Sequence, residues 1–126
     1  MNNIVLDSSA ILAVILQEMG CEFVEPLLDG GKVSSVNLAE TFSKLAEKGR
    51  LTDSTVEDFR QLGLEIIDFD YAQAVKAAEL RPLTRHLGLS LGDRSCLALA
   101  ILQGATAVTA DKDWKSLSFC PIEVIR

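Results

Sequence analysis

Short apolar segments that favour β-strands alternate along this chain with longer segments of helical periodicity, and this alternation constrains the fold most. Strands that alternate with helices form parallel sheets with helices packed on both faces. We therefore predict an α/β fold of three layers, α/β/α, with a central, mostly parallel sheet of four to five strands. The predicted strands are residues 3–7, 32–36, 64–69, 106–109 and 122–125.

The segments between these strands predict helices over residues 8–18, 22–28, 37–49, 54–62, 71–80 and 93–103. Asn37 is suited to cap the third helix and Gly49 to end it. Ser54 and Glu57 have the spacing of a capping box at the start of the fourth. Pro82 predicts that the preceding helix ends near residue 80, because proline removes a hydrogen bond inside a helix.

The length of 126 residues fits one domain spanning residues 1–126. The longest apolar run, residues 10–16, is far shorter than the roughly 18 residues that indicate a membrane span. No basic segment precedes the first apolar residues, and the three cysteines form no CxxC pair, which together indicate a reducing cytoplasm. A mean hydropathy of +0.25 is high for a small domain and suggests apolar surface covered by a second copy.

Acidic residues adjoin the predicted ends of several strands. Asp7 ends the first strand, and the segment "AVTADKDW" places Asp111 and Asp113 directly after the fourth. Glu40 is predicted in the first turn of the helix after the second strand, and Asp93 in the first turn of the helix before the fourth. Because the carboxyl ends of parallel strands meet at one edge of a sheet, we expect these acids to share one cleft.

Three of the acids also have a purely structural interpretation as helix caps. Asp7 immediately precedes a predicted helix and could cap it. Asn37 with Glu40, and Ser90 with Asp93, have the spacing of capping boxes, in which each side chain binds a free backbone N–H group.

The remaining alternatives concern exposed surface. Glu40 stands four residues before Lys44, the spacing of a solvent-exposed ion pair on a helix. Asp111 and Asp113 fit an Asx turn in a loop. For any one acid taken alone, these interpretations stay open beside the functional one.

Several carboxylates gathered in one cleft would repel one another. Two like charges about 4 Å apart cost about 4 kcal/mol at an effective dielectric constant of about 20, whereas a helix N-terminus offsets only about 0.3–1 kcal/mol. A divalent cation would remove this repulsion. Oxygen-only ligands favour Mg²⁺, with Mn²⁺ as a substitute, over zinc. His86, the sole histidine, lies in a predicted loop and is not expected to be a ligand.

Four short motifs, in this order, resemble those of PIN-domain ribonucleases, and the compact chain is similar to the VapC-like toxins of type II toxin–antitoxin pairs. The motifs are "VLDSSAIL" around Asp7, "NLAETFSKL" around Glu40, "LSLGDRSCLALA" around Asp93 and "VTADKDW" around Asp111. The resemblance covers essentially the whole chain. It implies a PIN-like α/β/α fold, Mg²⁺-dependent endonucleolytic cleavage of RNA, a cognate antitoxin protein and a homodimer.

The resemblance also implies the residues of the site. It assigns the acidic catalytic cluster to Asp7, Glu40, Asp93 and Asp111. Asp113 matches a position at which only some members carry an acid, so its role as a further metal ligand stays open. The small hydroxyl residues that support the acids in the family correspond to Ser8 and Thr109.

Hydrolysis of an RNA phosphodiester bond needs a nucleophile and stabilisation of the developing charge. The chain offers carboxylates rather than a Ser/His/Asp or Cys/His set, since His86 would have to serve alone. We therefore expect Asp7, Asp93 and Asp111 to position one or two Mg²⁺ ions, which activate a water molecule. Glu40 would orient or deprotonate that water. In-line attack by water predicts 5′-phosphate and 3′-hydroxyl ends.

Recognition of RNA is expected to depend on its shape and backbone, because aromatic residues make up only 6% of the chain. The net charge of −6 is by itself unfavourable for an RNA partner, but cations bound at the acids would offset it, and a basic antitoxin segment could occlude an acidic cleft. Ordinary solubility is the alternative role of each basic residue. The candidate phosphate contacts are Lys44, Lys48, Arg50, Arg94 and Lys112.

Three rival classes share some of these features. A receiver-like signalling domain would also have a parallel sheet and an acidic Mg²⁺ pocket, with Lys112 as its lysine, but it carries a pair of acids at the first strand. A phosphatase with an aspartyl nucleophile would need a second aspartate where Ser9 stands. A degenerate PIN domain acting only in binding is the third.

Overall fold

Five strands in the described part of the chain form a single sheet in which all neighbours are parallel, in the order β3-β2-β1-β4-β5. The computed structural model describes residues 3–126. The strands are β1 (Ile4–Leu6), β2 (Lys32–Ser34), β3 (Glu65–Ile67), β4 (Thr106–Thr109) and β5 (Ile122–Val124). Each lies inside its predicted segment, so the prediction of a parallel α/β fold is confirmed.

Six α-helices are described, with short 3₁₀ segments at Glu25–Leu27, Arg85–Leu87 and Lys112–Ser116. Those at 85–87 and 112–116 lie in connections that the sequence predicts as loops. The helices are α1 (Ser8–Ile15), α2 (Cys21–Val24), α3 (Ser35–Glu47), α4 (Asp53–Arg60), α5 (Tyr71–Thr84) and α6 (Leu91–Gln103).

Two apolar cores lie on opposite faces of the sheet, which gives the three layers. Successive side chains of a strand point to opposite faces. In β1, Val5 accordingly packs in the core with α5 and α6, whereas Leu6 packs in the core with α1, α2 and α3. Both side chains are fully buried, so β1 is central. Within residues 3–126, no helix has the length and apolar character needed to cross a membrane.

The start of α3 differs from the prediction. Ser34, the last residue of β2, caps α3 by accepting a hydrogen bond from the Val36 N–H, so the helix begins two residues earlier than expected. Asn37 is therefore inside the helix and is fully buried. The predicted Asn37–Glu40 capping box is wrong, and Glu40 lies in the second turn rather than the first.

Two further helix boundaries were predicted wrongly. Thr52, not Ser54, caps α4 by accepting from the Thr55 N–H. Helix α5 continues through Pro82 to Thr84. The side chains of Leu80 and Thr84 are buried and hold this last turn. Thr84 Oγ1 also donates a 2.8 Å hydrogen bond to the backbone carbonyl of Leu80. Tertiary packing thus outweighs the hydrogen bond that proline removes.

Candidate acidic active site at the carboxyl edge of the sheet

The site is built where β1 and β4 end side by side. These strands are in register from Ile4 with Thr106 to Leu6 with Val108. The Asp7 N–H donates to the Val108 carbonyl at 2.9 Å, which brings Asp7 beside Thr109 across 102 positions of sequence. Pairing of two central strands therefore positions the first acid of the site.

Asp7 occupies the backbone position of an N-cap for α1, but its side chain makes no capping hydrogen bond. Its Oδ2 instead accepts from Ser9 Oγ at 2.7 Å and from Thr109 Oγ1 at 3.0 Å. The residue is only 2% exposed, and within the described part of the chain its Oδ1 is buried without a hydrogen-bond partner. The interpretation of Asp7 as a simple side-chain cap is therefore wrong.

The buried position raises the pKa of Asp7 from 3.8 to about 6. Loss of hydration is the main cause, because burial disfavours the charged form. The hydrogen bond from Ser9 opposes this effect, while the charges of Asp93 and Glu40 raise the pKa further. The ionised carboxylate of Asp7 thus lacks a compensating charge in the fold itself.

Glu40 is held by hydrogen-bond donors from two helices, α1 and its own helix α3. Its Oε1 accepts from Ser8 Oγ at 2.8 Å and from Asn37 Nδ2 at 3.2 Å. No hydrogen bond from residues 3–126 reaches its Oε2, and Lys44 forms no ion pair with it there. The alternative interpretation, an exposed ion pair between Glu40 and Lys44, is therefore wrong.

Asn37 and Gly92 are site residues that the sequence reasoning missed. Asn37 Nδ2 bridges Glu40 Oε1 and the Gly92 carbonyl, which lies 3.0 Å away in α6. A Cβ at Gly92 would stand 2.6 Å from Glu40 Cδ and closer still to Oε2, so only glycine leaves room for this carboxylate. Gly92 is the second residue of α6 and precedes the predicted start of that helix at residue 93. Glycine permits such a close approach because it has no Cβ.

Asp93 has a structural and an electrostatic role together. Ser90 and Asp93 form the predicted capping box of α6, with the Ser90 N–H donating to Asp93 Oδ2 at 3.0 Å and the Asp93 N–H donating to Ser90 Oγ at 3.1 Å. Burial raises the pKa of Asp93, the bonds from Ser90 lower it, and the charges of Glu40 and Asp111 raise it. Asp93 is thus within electrostatic reach of Glu40, Asp111 and Asp7.

Asp111 forms the predicted Asx turn after β4. Its Oδ1 accepts from the Asp113 N–H at 2.9 Å, and its own N–H donates to Thr109 Oγ1 at 3.1 Å. Thr109 therefore connects Asp111 to Asp7. The side chain of Asp113 is exposed.

Ser8 and Thr109 both contact acids of the site, Ser8 at Glu40 and Thr109 at Asp7. Ser9 was not singled out by sequence as a support for the acids. Besides its bond to Asp7, its Oγ accepts from the Ala110 N–H at 2.9 Å. Two consecutive serines at the start of α1 thus serve two different acids, because their side chains point in different directions from the helix.

The donor groups suit a hard cation, since carboxylate oxygens are the ligands that Mg²⁺ and Mn²⁺ prefer. The unpartnered Oδ1 of Asp7 is a buried acceptor of this kind. Across residues 3–126, however, no three His, Cys, Asp or Glu side chains are arranged so that they could hold a metal ion together. Mg²⁺ commonly binds through one or two carboxylates and keeps several waters, so the residues fit this ion without a closed cage.

The predicted phosphate contacts are distributed over several surfaces. Lys44 and Lys48 line a groove that begins at Ser9, whereas Arg50 lines a separate pocket between α1 and α4. Arg94 points its guanidinium at α5, where Nη1 donates to the Ala77 carbonyl at 3.0 Å. Lys112 is exposed directly after Asp111. His86 is also exposed, in the 3₁₀ segment after α5.

The fold and the site define an α/β/α domain with a partly buried set of acids at the carboxyl edge of a parallel sheet. The family model described as PIN domain matches residues 4–119. This chain belongs to the PIN domain family. The strand order also excludes the receiver-like alternative, because receivers have the order 2-1-3-4-5.

Solved structures of toxin–antitoxin assemblies have similar folds. A chain of VapBC2 from Rickettsia felis, bound to a promoter DNA fragment, is 23% identical with a TM-score of 0.74, and 98% of each chain is covered. A chain of a toxin–antitoxin complex from Klebsiella pneumoniae is 16% identical with a TM-score of 0.77 and the same coverage. DNA-bound VapBC from Salmonella typhimurium gives 21% identity, a TM-score of 0.74 and coverage of 100% of both chains. No curated protein matches this chain in sequence.

Proposed function

We propose that this chain is a Mg²⁺-dependent endoribonuclease that hydrolyses RNA phosphodiester bonds at the acidic site. The observation that carries the proposal is the buried carboxylate of Asp7, whose Oδ1 has no partner among residues 3–126 while Asp93 and Glu40 add negative charge nearby. A fold keeps such an uncompensated charge only at a stability cost, and bound cations offset it. Membership of the PIN domain family supports the same activity.

Asp7, Asp93 and Asp111 are the residues that would hold Mg²⁺ or Mn²⁺, with Asp113 as a further candidate. When bound, the cation supplies Lewis-acid stabilisation of the phosphoryl oxygens and lowers the pKa of water. Ser9 and Thr109 fix the Asp7 carboxylate by donating to the same oxygen, which leaves Oδ1 free for a ligand. Thr109 also fixes the backbone that carries Asp111.

In this proposal Glu40 orients or deprotonates the attacking water. Ser8 and Asn37 both donate to its Oε1, so the carboxylate is fixed by one oxygen and can accept a proton from water at Oε2. In-line attack on phosphorus then releases a 3′-hydroxyl and leaves a 5′-phosphate on the other fragment. A 2′,3′-cyclic phosphate would contradict this scheme, because it requires the RNA 2′-hydroxyl as the nucleophile.

Cleavage of an end-labelled pool of total small RNA tests the activity. We expect discrete cuts by the wild-type protein with Mg²⁺, none with EDTA, and none by Asp93→Asn. Asp53→Asn is the matched control, because Asp53 is an exposed acid in the first turn of α4 and should leave cleavage unchanged. Equal cutting by Asp93→Asn would refute the site. Absence of cleavage by every variant would favour a PIN domain that acts only in binding.

Glu40→Gln separates the chemical step from binding. The amide keeps an oxygen that can accept from Ser8 and Asn37, but it cannot take a proton from water. We expect the turnover rate to fall by roughly 10²–10⁴-fold, the usual contribution of a general base, while RNA affinity changes little. Single-turnover rates and anisotropy titrations measure the two quantities. Near-wild-type turnover would exclude this role for Glu40.

We further propose that the protein is the toxin of a toxin–antitoxin pair. The similarity to chains of VapBC assemblies over nearly their whole length supports an antitoxin partner. A basic antitoxin segment would be complementary to the acidic cleft and to the net charge of −6. A homodimer is proposed as well, since several apolar side chains on and near α5 are exposed, including Tyr71 at 86% and Leu83 at 56%. Light scattering of the purified chain tests the dimer.

A further inference from the structure

A groove of about 250 Å³ extends away from the acidic site between α1 and α3. Its inner end is formed by Ser9, whose hydroxyl donates to the Asp7 carboxylate at 2.7 Å. Leu12 and Leu16 of α1 line one side. A ligand in this groove that contacts Ser9 is therefore separated from Asp7 by the Ser9 side chain alone.

The opposite side of the groove is basic. Lys44 and Lys48 line it from α3, and their spacing of four residues places them on the same helical face. Both are exposed, and neither forms an ion pair with any acid in the described range 3–126. Two positive charges without an ion pair in residues 3–126 thus line a groove that Ser9 also lines, in a protein whose net charge is −6.

The outer end of the groove is held by a third cation. Arg126 Nη1 donates to the Met19 carbonyl at 2.9 Å and lies 3.4 Å from Glu18 Oε1. These contacts fix the arginine at the rim and partly compensate its charge. Glu18 also lines the groove, but it pairs with Arg126. Lys44 and Lys48 are therefore the lining charges that have no ion pair among residues 3–126.

We propose that this groove binds the RNA backbone on one side of the scissile phosphate, with Lys44 and Lys48 contacting phosphates. The inference rests on the proposed ribonuclease function and adds the direction in which the strand leaves the acids. At the acids, a bound cation would hold the phosphate that is cleaved. In the groove, the two lysines would hold the next phosphates of the same RNA strand. Without an aromatic residue in its lining, the groove would bind backbone rather than stack bases.

The groove contains only two of the five basic residues that the sequence suggests as phosphate contacts. Arg94 is engaged with the Ala77 carbonyl, and Arg50 faces the other pocket, so neither belongs to this path. Lys112 lies next to Asp111, outside the residues that line the groove. The proposal therefore assigns different outcomes to basic residues that the sequence treats alike.

Binding of a fluorescent single-stranded RNA tests the groove. All variants carry Asp93→Asn, so that affinity is measured without cleavage, and dissociation constants are measured over a salt series. Loss of one single-strand phosphate contact lowers the slope of log K against log salt by about 0.7, so Lys44→Gln/Lys48→Gln should lower it by about 1.4. We expect the affinity at low salt to fall roughly tenfold or more.

The matched control removes the same charge at the opposite edge of the sheet. Lys32 opens β2, and Arg60 ends α4 shortly before β3 begins, so both lie near the amino ends of strands. Lys32→Gln/Arg60→Gln should leave the salt slope unchanged. Substitutions at exposed sites such as Lys44 and Lys48 change stability by about 0.5 kcal/mol or less. Lys32 is half-buried and donates to Asn3, so thermal unfolding checks that both double variants are folded.

The outcomes separate the groove from the nuclease proposal. Normal cleavage by the wild type together with equal slopes for the two double variants would overturn the groove alone. Absence of RNA binding by the Asp93→Asn parent and of cleavage by the wild type would overturn both. If Lys44→Gln/Lys48→Gln instead loses co-elution with a co-expressed antitoxin while RNA affinity is unchanged, the groove is a protein surface and the RNA assignment is wrong.

Discussion

Replacement of Asp7 by asparagine should abolish RNA cleavage and, in the absence of metal, make the fold more stable at pH 7. Asparagine can keep an oxygen where Ser9 and Thr109 donate to Oδ2. Its amide group would replace the buried Oδ1 that lacks a partner among residues 3–126. The substitution thus removes the charge while it retains the shape. We expect cleavage to fall by roughly 10²–10³-fold or more, the usual effect of losing an electrostatic group of an active site.

The gain in stability should depend on pH. Because the pKa of Asp7 is about 6 in the folded protein and 3.8 ordinarily, the folded state binds this proton more tightly than the unfolded chain. The stability that this provides is complete below pH 3.8 and is lost as the pH rises through about 6. The two values differ by an amount that corresponds to about 3 kcal/mol of unfolding free energy.

Urea unfolding of the wild type and Asp7→Asn in EDTA, from pH 4 to pH 7.5, measures this effect. Between pH 4 and pH 7.5 the variant should gain between about 2 and 3 kcal/mol relative to the wild type, since a small part of the effect lies below pH 4. Saturating Mg²⁺ at pH 7 should then stabilise the wild type and not the variant, because a ligand stabilises only the state that binds it. Asp53→Asn serves as the control, since it removes an exposed acid of α4 that is not among the proposed metal-holding residues. A stability difference that is constant with pH would contradict the assigned burial effect.

Gly92→Ala should inactivate the enzyme without unfolding it. A Cβ at this position stands 2.6 Å from Glu40 Cδ, so the carboxylate must leave its place above α6. Glu40 is flexible enough to do so, at the loss of hydrogen bonds from Ser8 and Asn37 that contribute about 0.5–1.5 kcal/mol each. Alanine stabilises a helix by up to about 1 kcal/mol relative to glycine in the interior, and part of this gain at the second residue of α6 offsets the loss.

Catalysis should be far more sensitive than stability to this change. A displacement of about 1 Å in a reacting group can reduce the rate about 10²-fold, and we expect kcat/KM of Gly92→Ala to fall by at least this factor. The unfolding free energy should change by less than about 2 kcal/mol. Thermal unfolding and single-turnover cleavage, measured on the same preparation, compare the two quantities.

A double-mutant cycle with Glu40→Ala identifies the cause. If Gly92 acts only by leaving room for Glu40, then Gly92→Ala should have no further effect on turnover once Glu40 is alanine. Additive losses would show that the added methyl group disturbs the site in another way. Full activity of Gly92→Ala in the wild-type background would show that catalysis does not need the observed position of the Glu40 carboxylate.

Local patterns in the sequence were sufficient for the elements and for part of the site. Apolar segments alternating with amphipathic ones predicted all five strands and the parallel sheet. The capping box of Ser90 and Asp93 and the Asx turn of Asp111 were readable because their partners lie within three residues. The placement of Asp7 and Asp111 at strand ends followed in the same way, since strand ends are local features.

The order of the strands and the supports of the acids were decided by tertiary structure. Only the pairing of β1 with β4 brings Thr109 to Asp7 across 102 positions, and only the packing of α3 on α6 joins Asn37 to Gly92 across 55. The predicted cap at Asn37 failed because Ser34 competes for the same helix end. The sequence thus determined which segments fold and which acids reach the edge of the sheet. Contacts between distant segments decided which carboxylate oxygen of each acid accepts hydrogen bonds and which is left for a ligand. The local sequence around an acid does not specify these contacts, because the donors lie many positions away along the chain.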